Sequence, residues 1–231
     1  MVAVISGATR GLGKSLALAL AQQGYSLALA SRNLSDLEKL YEEITRNFNV
    51  EVFIFQADLS EKEQTINFSN KIYEKFKTVD VLINNVGKYD VDRITDEDVD
   101  FELMMKVNLN SAYFLSKNIS IKMCQNNKGH IFNICSVLSF STRQNAASYT
   151  ISKHALKGFN DVLREEMREY GVKVTAIYPG SINTTSWEGI MAPKELFVQT
   201  EDIVGIIKAC LKTSKNANIE EVVIKPLDKK Y

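Results

Sequence analysis

Seven short runs of the 231-residue chain, at 2–5, 27–30, 52–55, 79–83, 131–134, 172–177 and 222–224, are apolar with little alternation. A strand with one wet face alternates apolar and polar side chains, so runs of this kind describe strands covered on both faces, as in a parallel sheet. Between them the apolar residues take helical spacing, first at Leu12, Leu16, Ala19 and Leu20, then over 34–48, 60–76, 96–125, 148–170 and 201–212. This alternation predicts an α/β fold: a Rossmann-type doubly wound sheet of about seven parallel strands, with six main helices on its two faces. No repeat, low-complexity tract or linker divides the chain, and proline occurs only at 179, 193 and 226. A single domain, 1–231, is expected.

Charge narrows the partner. With 28 basic and 28 acidic side chains the formal net charge is zero, and no long-range field recruits nucleic acid or an anionic membrane. A small molecule is the expected partner. No apolar stretch approaches the roughly 18 residues that span a bilayer, and the amino terminus turns glycine-rich too early for a signal peptide, so a cytoplasmic location is expected. Cys124, Cys135 and Cys210 are odd in number and lack CxxC spacing, which reads as reduced structural thiols. No residue cluster has metal-ligand spacing.

After the first run comes Ser6-Gly7-Ala8-Thr9-Arg10-Gly11-Leu12-Gly13. A tight strand-to-helix turn whose backbone must approach a pyrophosphate needs glycine, and the free N–H groups and positive dipole end of the helix favour the anion. The strict GxGxxG pattern fails because Leu16 stands where its third glycine belongs; the spacing is Gly7-x3-Gly11-x-Gly13. The same stretch contains Ala8-x4-Gly13-Lys14-Ser15, a relaxed NTPase phosphate loop. Such an enzyme also needs an acid after a buried strand to hold magnesium, and the fourth run ends in Asn84-Asn85. A hydrolase lacks its GxSxG elbow here; His130 begins a strand, and His154 lies about 140° around its helix from Tyr149.

The second motif is Tyr149-Thr150-Ile151-Ser152-Lys153, with Ser136 thirteen residues before the tyrosine at the end of an apolar run. Tyr149 and Lys153 share one helix face. An acid, a cation and a hydroxyl donor so placed suit proton transfer onto a carbonyl oxygen. Together with the glycine loop, these residues resemble the short-chain dehydrogenase/reductase family over nearly the whole chain. The resemblance implies an oxidoreductase in which hydride adds to a carbonyl carbon while Tyr149 donates the proton. Lys153 would lower the phenol pKa and hold the nicotinamide ribose, Ser136 would bind the carbonyl oxygen, and Asn108 would hold a water. Its alternative is a catalytically idle NADPH-binding module.

The cofactor site follows from the same likeness. NAD-preferring enzymes place a carboxylate about 20 residues after the glycines, on the ribose 2′-hydroxyl; here Ser31 is followed by Arg32. A carboxylate would repel a 2′-phosphate, whereas Arg32 and Arg10 would pair with it, so NADP(H) is expected. The resemblance adds Gly7, Thr9, Gly11, Leu12 and Gly13 at the phosphates, Asp58 and Leu59 at the adenine, and Asn85 and Gly87 in the turn after the fourth strand. It places Pro179, Gly180, Ile182 and Thr184 beside the carboxamide. Phe140, Gln144, Trp187 and Met191 are candidate substrate-pocket residues. Family relatives also pair through the helices over 96–125 and 148–170. Apolar Met104, Phe114, Ile119, Phe159, Val162 and Met167 there lead us to expect a homodimer or homotetramer. Val137-Leu138-Ser139 and Lys225-Pro226-Leu227 depart from the family pattern.

Overall fold

The computed structural model describes residues 1–185 and 193–228. Its sheet has seven parallel strands: β1 (Val2–Ser6), β2 (Ser26–Ser31), β3 (Val52–Gln56), β4 (Val81–Asn84), β5 (Gly129–Ile134), β6 (Val172–Pro179) and β7 (Glu221–Ile224). They lie in the order β3-β2-β1-β4-β5-β6-β7. Strand order reverses between β1 and β4, so the loops leaving these two strands diverge and open a crevice at the carboxyl edge.

One face is covered by α1 (Gly11–Gln22), α2 (Leu34–Asn47) and α7 (Thr200–Leu211), which bury Leu16, Leu20, Leu40, Ile203 and Ile207 against β1 and β2. The other carries α3 (Lys62–Lys75), α5 (Ser111–Gln125) and α6 (Ala147–Arg168), with Phe68, Ile72, Ile119 and Leu163 packed on β1, β4, β5 and β6. At roughly 25 cal/mol per Å² of apolar surface, burial on both faces makes the hydrophobic term dominant.

The segment 96–125, expected as one helix, is three pieces. Asp100 accepts a hydrogen bond from Leu103 N at 2.9 Å and so starts α4 (Phe101–Met105), while Arg93 N and Asp96 Oδ2 close a separate turn before it. A π-helical turn, Lys106–Asn110, then separates α4 from α5. Expected apolar surface shrinks too: Met104, Ile119 and Met167 are buried within the chain, Phe114 and Phe159 are half-buried, and Val162 is exposed. Tyr113 and Ile151 add exposed apolar surface on α5 and α6.

Among the described residues, no helix is long and apolar enough to cross a membrane, and no His, Cys, Asp and Glu cluster is arranged to hold a metal. The three cysteines are free, and burial pushes the Cys135 thiol up to about 12.

His130 is structural. Thr175 Oγ1 donates to Ile219 O at 2.6 Å, so at 2.8 Å from His130 Nε2 it acts as acceptor, which fixes the neutral Nε2–H tautomer. Burial, with a smaller push from Lys173, lowers its pKa to about 3. The unfolded chain therefore binds a proton that the native chain refuses in the window between that value and the ordinary 6.5, and stability falls as pH drops through it. At pH 5 this one group costs about 2 kcal/mol. Urea unfolding at pH 7 and pH 5 should show that loss in the parent and a flatter difference in His130→Gln.

Candidate active site

The glycine loop is held in shape by groups of its own chain. Gly7 and Gly11 have φ of 65° and 50°, the left-handed region that other residues avoid. A Cβ on Gly13 would lie 2.1 Å from Gly7 O and 2.7 Å from Asn85 Nδ2, so the start of α1 crosses the end of β1 at backbone contact. Asn85 Nδ2 donates to Ser6 O (3.1 Å) and Gly7 O (3.0 Å), while Ser6 Oγ accepts from Asn85 N (2.9 Å) and Val86 N (3.2 Å). Asn85 thus braces the loop from the β4 side. Thr9 and Ser31 hydroxyls meet at 3.0 Å, tying the loop to the end of β2.

What this cradle presents is suited to a phosphate. Leu12 packs inward, no side chain caps α1, and its first turn holds no acid, so the first-turn amides point outward without an intrahelical acceptor. Arg10 and Arg32 are exposed, one on each side of the Thr9–Ser31 contact. Thr184 stands over the loop, with its Cβ and Cγ2 at 3.1 and 3.2 Å from a Cβ built on Gly11. A cavity of about 420 Å³ opens beside it, lined by Gly11, Lys14, Ser15, Asn183, Thr184 and Thr200. The phosphate-loop alternative fails here. Lys14 pairs with Glu43 at 2.7 Å and Ser15 donates to Thr200 Oγ1 at 3.0 Å, so neither is directed to a nucleotide held by Gly13.

Several neighbours turn out to support the loops. Asp58 Oδ1 accepts from the amide (3.0 Å) and hydroxyl (2.7 Å) of Ser60 and shapes the turn into α3; Leu59 beside it is buried. Pro179 ends β6. Gly180 donates to Ile224 O at 2.8 Å, and a Cβ there would meet Pro226 at 2.8 Å, so its smallness serves packing against the chain's end. Ile182 bridges to Val198.

Tyr149, Ser136 and Lys153 converge at the carboxyl end of β5. Ser136 lies close enough to the Tyr149 phenol to act on its pKa, and its Oγ accepts from Leu138 N at 3.1 Å. Lys153 is buried, donates from Nζ to Ile134 O at 3.0 Å, and lies 5.8 Å from the centroid of the Tyr149 ring. Gly87 is beside it, where a Cβ would be 3.6 Å from both Lys153 Nζ and Asn108 Oδ1. Burial dominates the electrostatics of this pair. It raises the Tyr149 pKa, which the nearby Ser136 hydroxyl opposes, and lowers that of Lys153. The chain's own groups keep the phenol protonated at neutral pH, as a proton donor requires.

Asn108 has a supporting role as well. Its Oδ1 accepts from Lys88 N at 2.8 Å, and its amide nitrogen donates to Lys88 O and Ser152 Oγ, each at 2.9 Å. The side chain clamps the loop after β4. Ser152 passes the connection on by donating to Tyr149 O at 2.7 Å.

Two of the four substrate candidates fall within the described residues. Phe140 packs on Tyr178, ring centroids 4.3 Å apart, with Lys157 Nζ 5.5 Å over it, two turns along α6 from Tyr149. Gln144 is exposed, and Trp187 and Met191 lie outside the described residues. Sequence reasoning missed Tyr89, whose ring stands edge-on to Tyr149 at 4.9 Å. It also missed the buried amides Asn133 and Asn160, which carry a hydrogen-bond chain from Asn84 across β5 to α6. The visible sign was a polar residue inside an apolar run.

Fold, glycine cradle and Ser–Tyr–Lys cluster together define an oxidoreductase of the nucleotide-binding α/β class. The short chain dehydrogenase profile matches residues 1–195, and the chain belongs to that family. An uncharacterized oxidoreductase of Staphylococcus saprophyticus is 32% identical over 232 residues, covering 98% of this chain and 97% of the relative. Among solved structures, an alcohol dehydrogenase from the archaeon Thermococcus sibiricus, complexed with 5-hydroxy-NADP, is similar at TM-score 0.91 and 29% identity, covering 98% of this chain and 96% of that one. A metagenomic short-chain oxidoreductase in complex with NADP is similar at TM-score 0.86 and 27% identity, over 99% and 98% of the two chains.

Gly13→Ala tests the loop crossing directly. With backbone on the far side of the contact the added methyl has no room, so urea unfolding should show a loss of about 1–3 kcal/mol.

Proposed function

We propose that this protein is an NADP(H)-dependent carbonyl reductase, acting between a small carbonyl compound and its secondary alcohol. The observation that carries the reading is the convergence of Tyr149, Ser136 and a buried Lys153 at the end of β5, with Lys153 Nζ 5.8 Å from the centroid of the Tyr149 ring. When bound, the reduced nicotinamide supplies the hydride. The protein's part is to receive the carbonyl oxygen between two hydroxyls: Ser136 binds it, and Tyr149 donates the proton as negative charge develops there. Lys153 stabilises the phenolate left behind, more strongly in the closed site than it would in water. Gly7, Thr9, Gly11, Leu12 and Gly13 would hold the phosphates at the start of α1, Asp58 and Leu59 the adenine, and Asn85, Gly87, Pro179, Gly180, Ile182 and Thr184 the nicotinamide end.

NADP(H) is favoured by Ser31-Arg32 at the end of β2 and by Arg10 in the glycine loop; two structures similar to this chain carry NADP or a derivative of it. We read residues 1–231 as one unit that works in the cytoplasm as a homodimer or homotetramer. Exposed Tyr113, Ile151 and Val162 on α5 and α6 support the pairing.

Two measurements test the reading. Because Arg10 and Arg32 gain charge-assisted contacts only with a 2′-phosphate, fluorescence titration should show NADPH bound at least about tenfold tighter than NADH, and Ser31→Asp should erode the difference. Equal affinities in the parent refute the preference. NADPH consumption against a panel of aldehydes, ketones and diketones should reveal turnover that Tyr149→Phe lowers by about 10²–10⁴ in kcat at unchanged NADPH affinity. A Tyr149→Phe protein within about threefold of the parent sinks the mechanism.

A further inference from the structure

The helix that carries Tyr149 and Lys153 does not cap itself. Ala146, at its N-cap, has no hydrogen-bonding side chain, and its first turn contains no acid. The missing acceptor comes from 56 residues earlier in the chain. Both carboxylate oxygens of Asp92 lie 3.2 Å from Ser148 N, and Asp92 is buried to 8% exposure. Around this contact Asp92 N donates to Asn145 O and Ala147 N donates to Asp92 O, each at 3.3 Å. Arg93 Nε adds a 2.6 Å bond to Asn145 Oδ1, holding Asn145 in a left-handed conformation, φ 58°.

The strap over residues 88–93 is therefore anchored twice. Asn108 grips the backbone of Lys88 at one end, and Ser148 of α6 and Asn145 just before it grip Asp92 and Arg93 at the other. Tyr89 lies between the anchors, with its ring edge-on to Tyr149 at an interplanar angle of 72°. Tyr149 is the third residue of α6, within the turn whose amide Asp92 binds. Lys153 sits a turn further on and has its own anchor at Ile134 O.

We propose that Asp92 is a positioning residue for carbonyl reduction, capping α6 and holding Tyr89 against Tyr149 so that the phenol stays aimed at the substrate oxygen. This rests on Tyr149 as the proton donor. A carboxylate at a helix N-terminus both satisfies an orphan N–H and faces the positive end of the dipole, so its loss frays the first turn first. Proton transfer is sensitive to misplacement of about 1 Å, whereas the glycine cradle and Lys153 are held by other contacts.

The test uses the full-length protein well below its unfolding midpoint, with NADPH and a substrate from the carbonyl panel. Asp92→Ala should lower kcat about tenfold or more, change NADPH affinity less than about threefold, and speed amide hydrogen exchange in peptides covering 146–150. Asp92→Asn, which keeps an acceptor oxygen of the same reach, should restore kcat to within about threefold of the parent. The proposal is overturned by parental kcat in Asp92→Ala, by unchanged exchange at 146–150, by an equal loss of NADPH affinity, or by failure of Asp92→Asn to rescue. If Asp92→Ala does not fold, Tyr89→Leu must itself lower kcat at unchanged NADPH affinity, and parental kcat there overturns the proposal. Absence of turnover in the parent defeats the reductase reading and this proposal together; turnover in the parent with unaffected Asp92→Ala defeats this proposal alone.

Discussion

A parallel sheet buried on both faces leaves its carboxyl edge with backbone and side-chain polar groups that neither water nor the sheet ladder can fully satisfy. In this protein asparagine amides meet that demand. Asn84 Nδ2 reaches Ser116 Oγ and Asn133 Oδ1, each at 2.8 Å, and Asn133 Nδ2 reaches Asn160 Oδ1 at 2.9 Å, joining β4, α5, β5 and α6 beneath the site. Asn85 ties β4 to the glycine loop, and Asn108 ties the π-helical turn to Lys88 and to Ser152 of α6. An amide is suited to this because it donates and accepts at once without carrying a charge that burial would penalise. Buried networks of this kind stiffen what they join, here the glycine loop, the loop after β4 and the catalytic helix.

The ionisable groups sit on that frame under opposite pressures. Burial favours the neutral form of both Tyr149 and Lys153, and Ser136 partly offsets it for the phenol. For a donor poised before reaction this is the useful direction, since the proton must be present to be given. Lys153 Nζ donates to Ile134 O, and burial is the first influence on both groups.

Much of the architecture was legible because it rests on periodicity: each of the seven apolar runs contains or overlaps a strand, the glycine motif follows β1, and the Tyr-Lys motif lies on α6. What was illegible depends on tertiary partners. Nothing local distinguishes Asp92 from the neighbouring acids Asp90 and Asp96, since its role is defined by an amide 56 residues away. The packing of Phe140 on Tyr178 is of the same kind, since its partner is contributed by β6, far along the chain. The contacts of Asn85 with Gly7 and of Gly180 with Pro226 likewise join segments far apart in the sequence.

The π-helical turn at Lys106–Asn110 carries a consequence for how the helical layer is phased. Such a turn holds one residue more than the α-helical path, so faces counted along α4 arrive at α5 rotated by about 100°. Met104 before the turn and Leu115 and Ile119 after it all reach the interior, although an unbroken α-helix would place Met104 and Leu115 on nearly one face, about 20° apart, and the extra residue turns them to different sides. The extra residue lets one continuous stretch serve two buried surfaces, one toward the catalytic helix and one toward the sheet. Removing a single residue within the turn would therefore act on α5 as a change of face, turning its apolar side away from the core without altering any of its own residues.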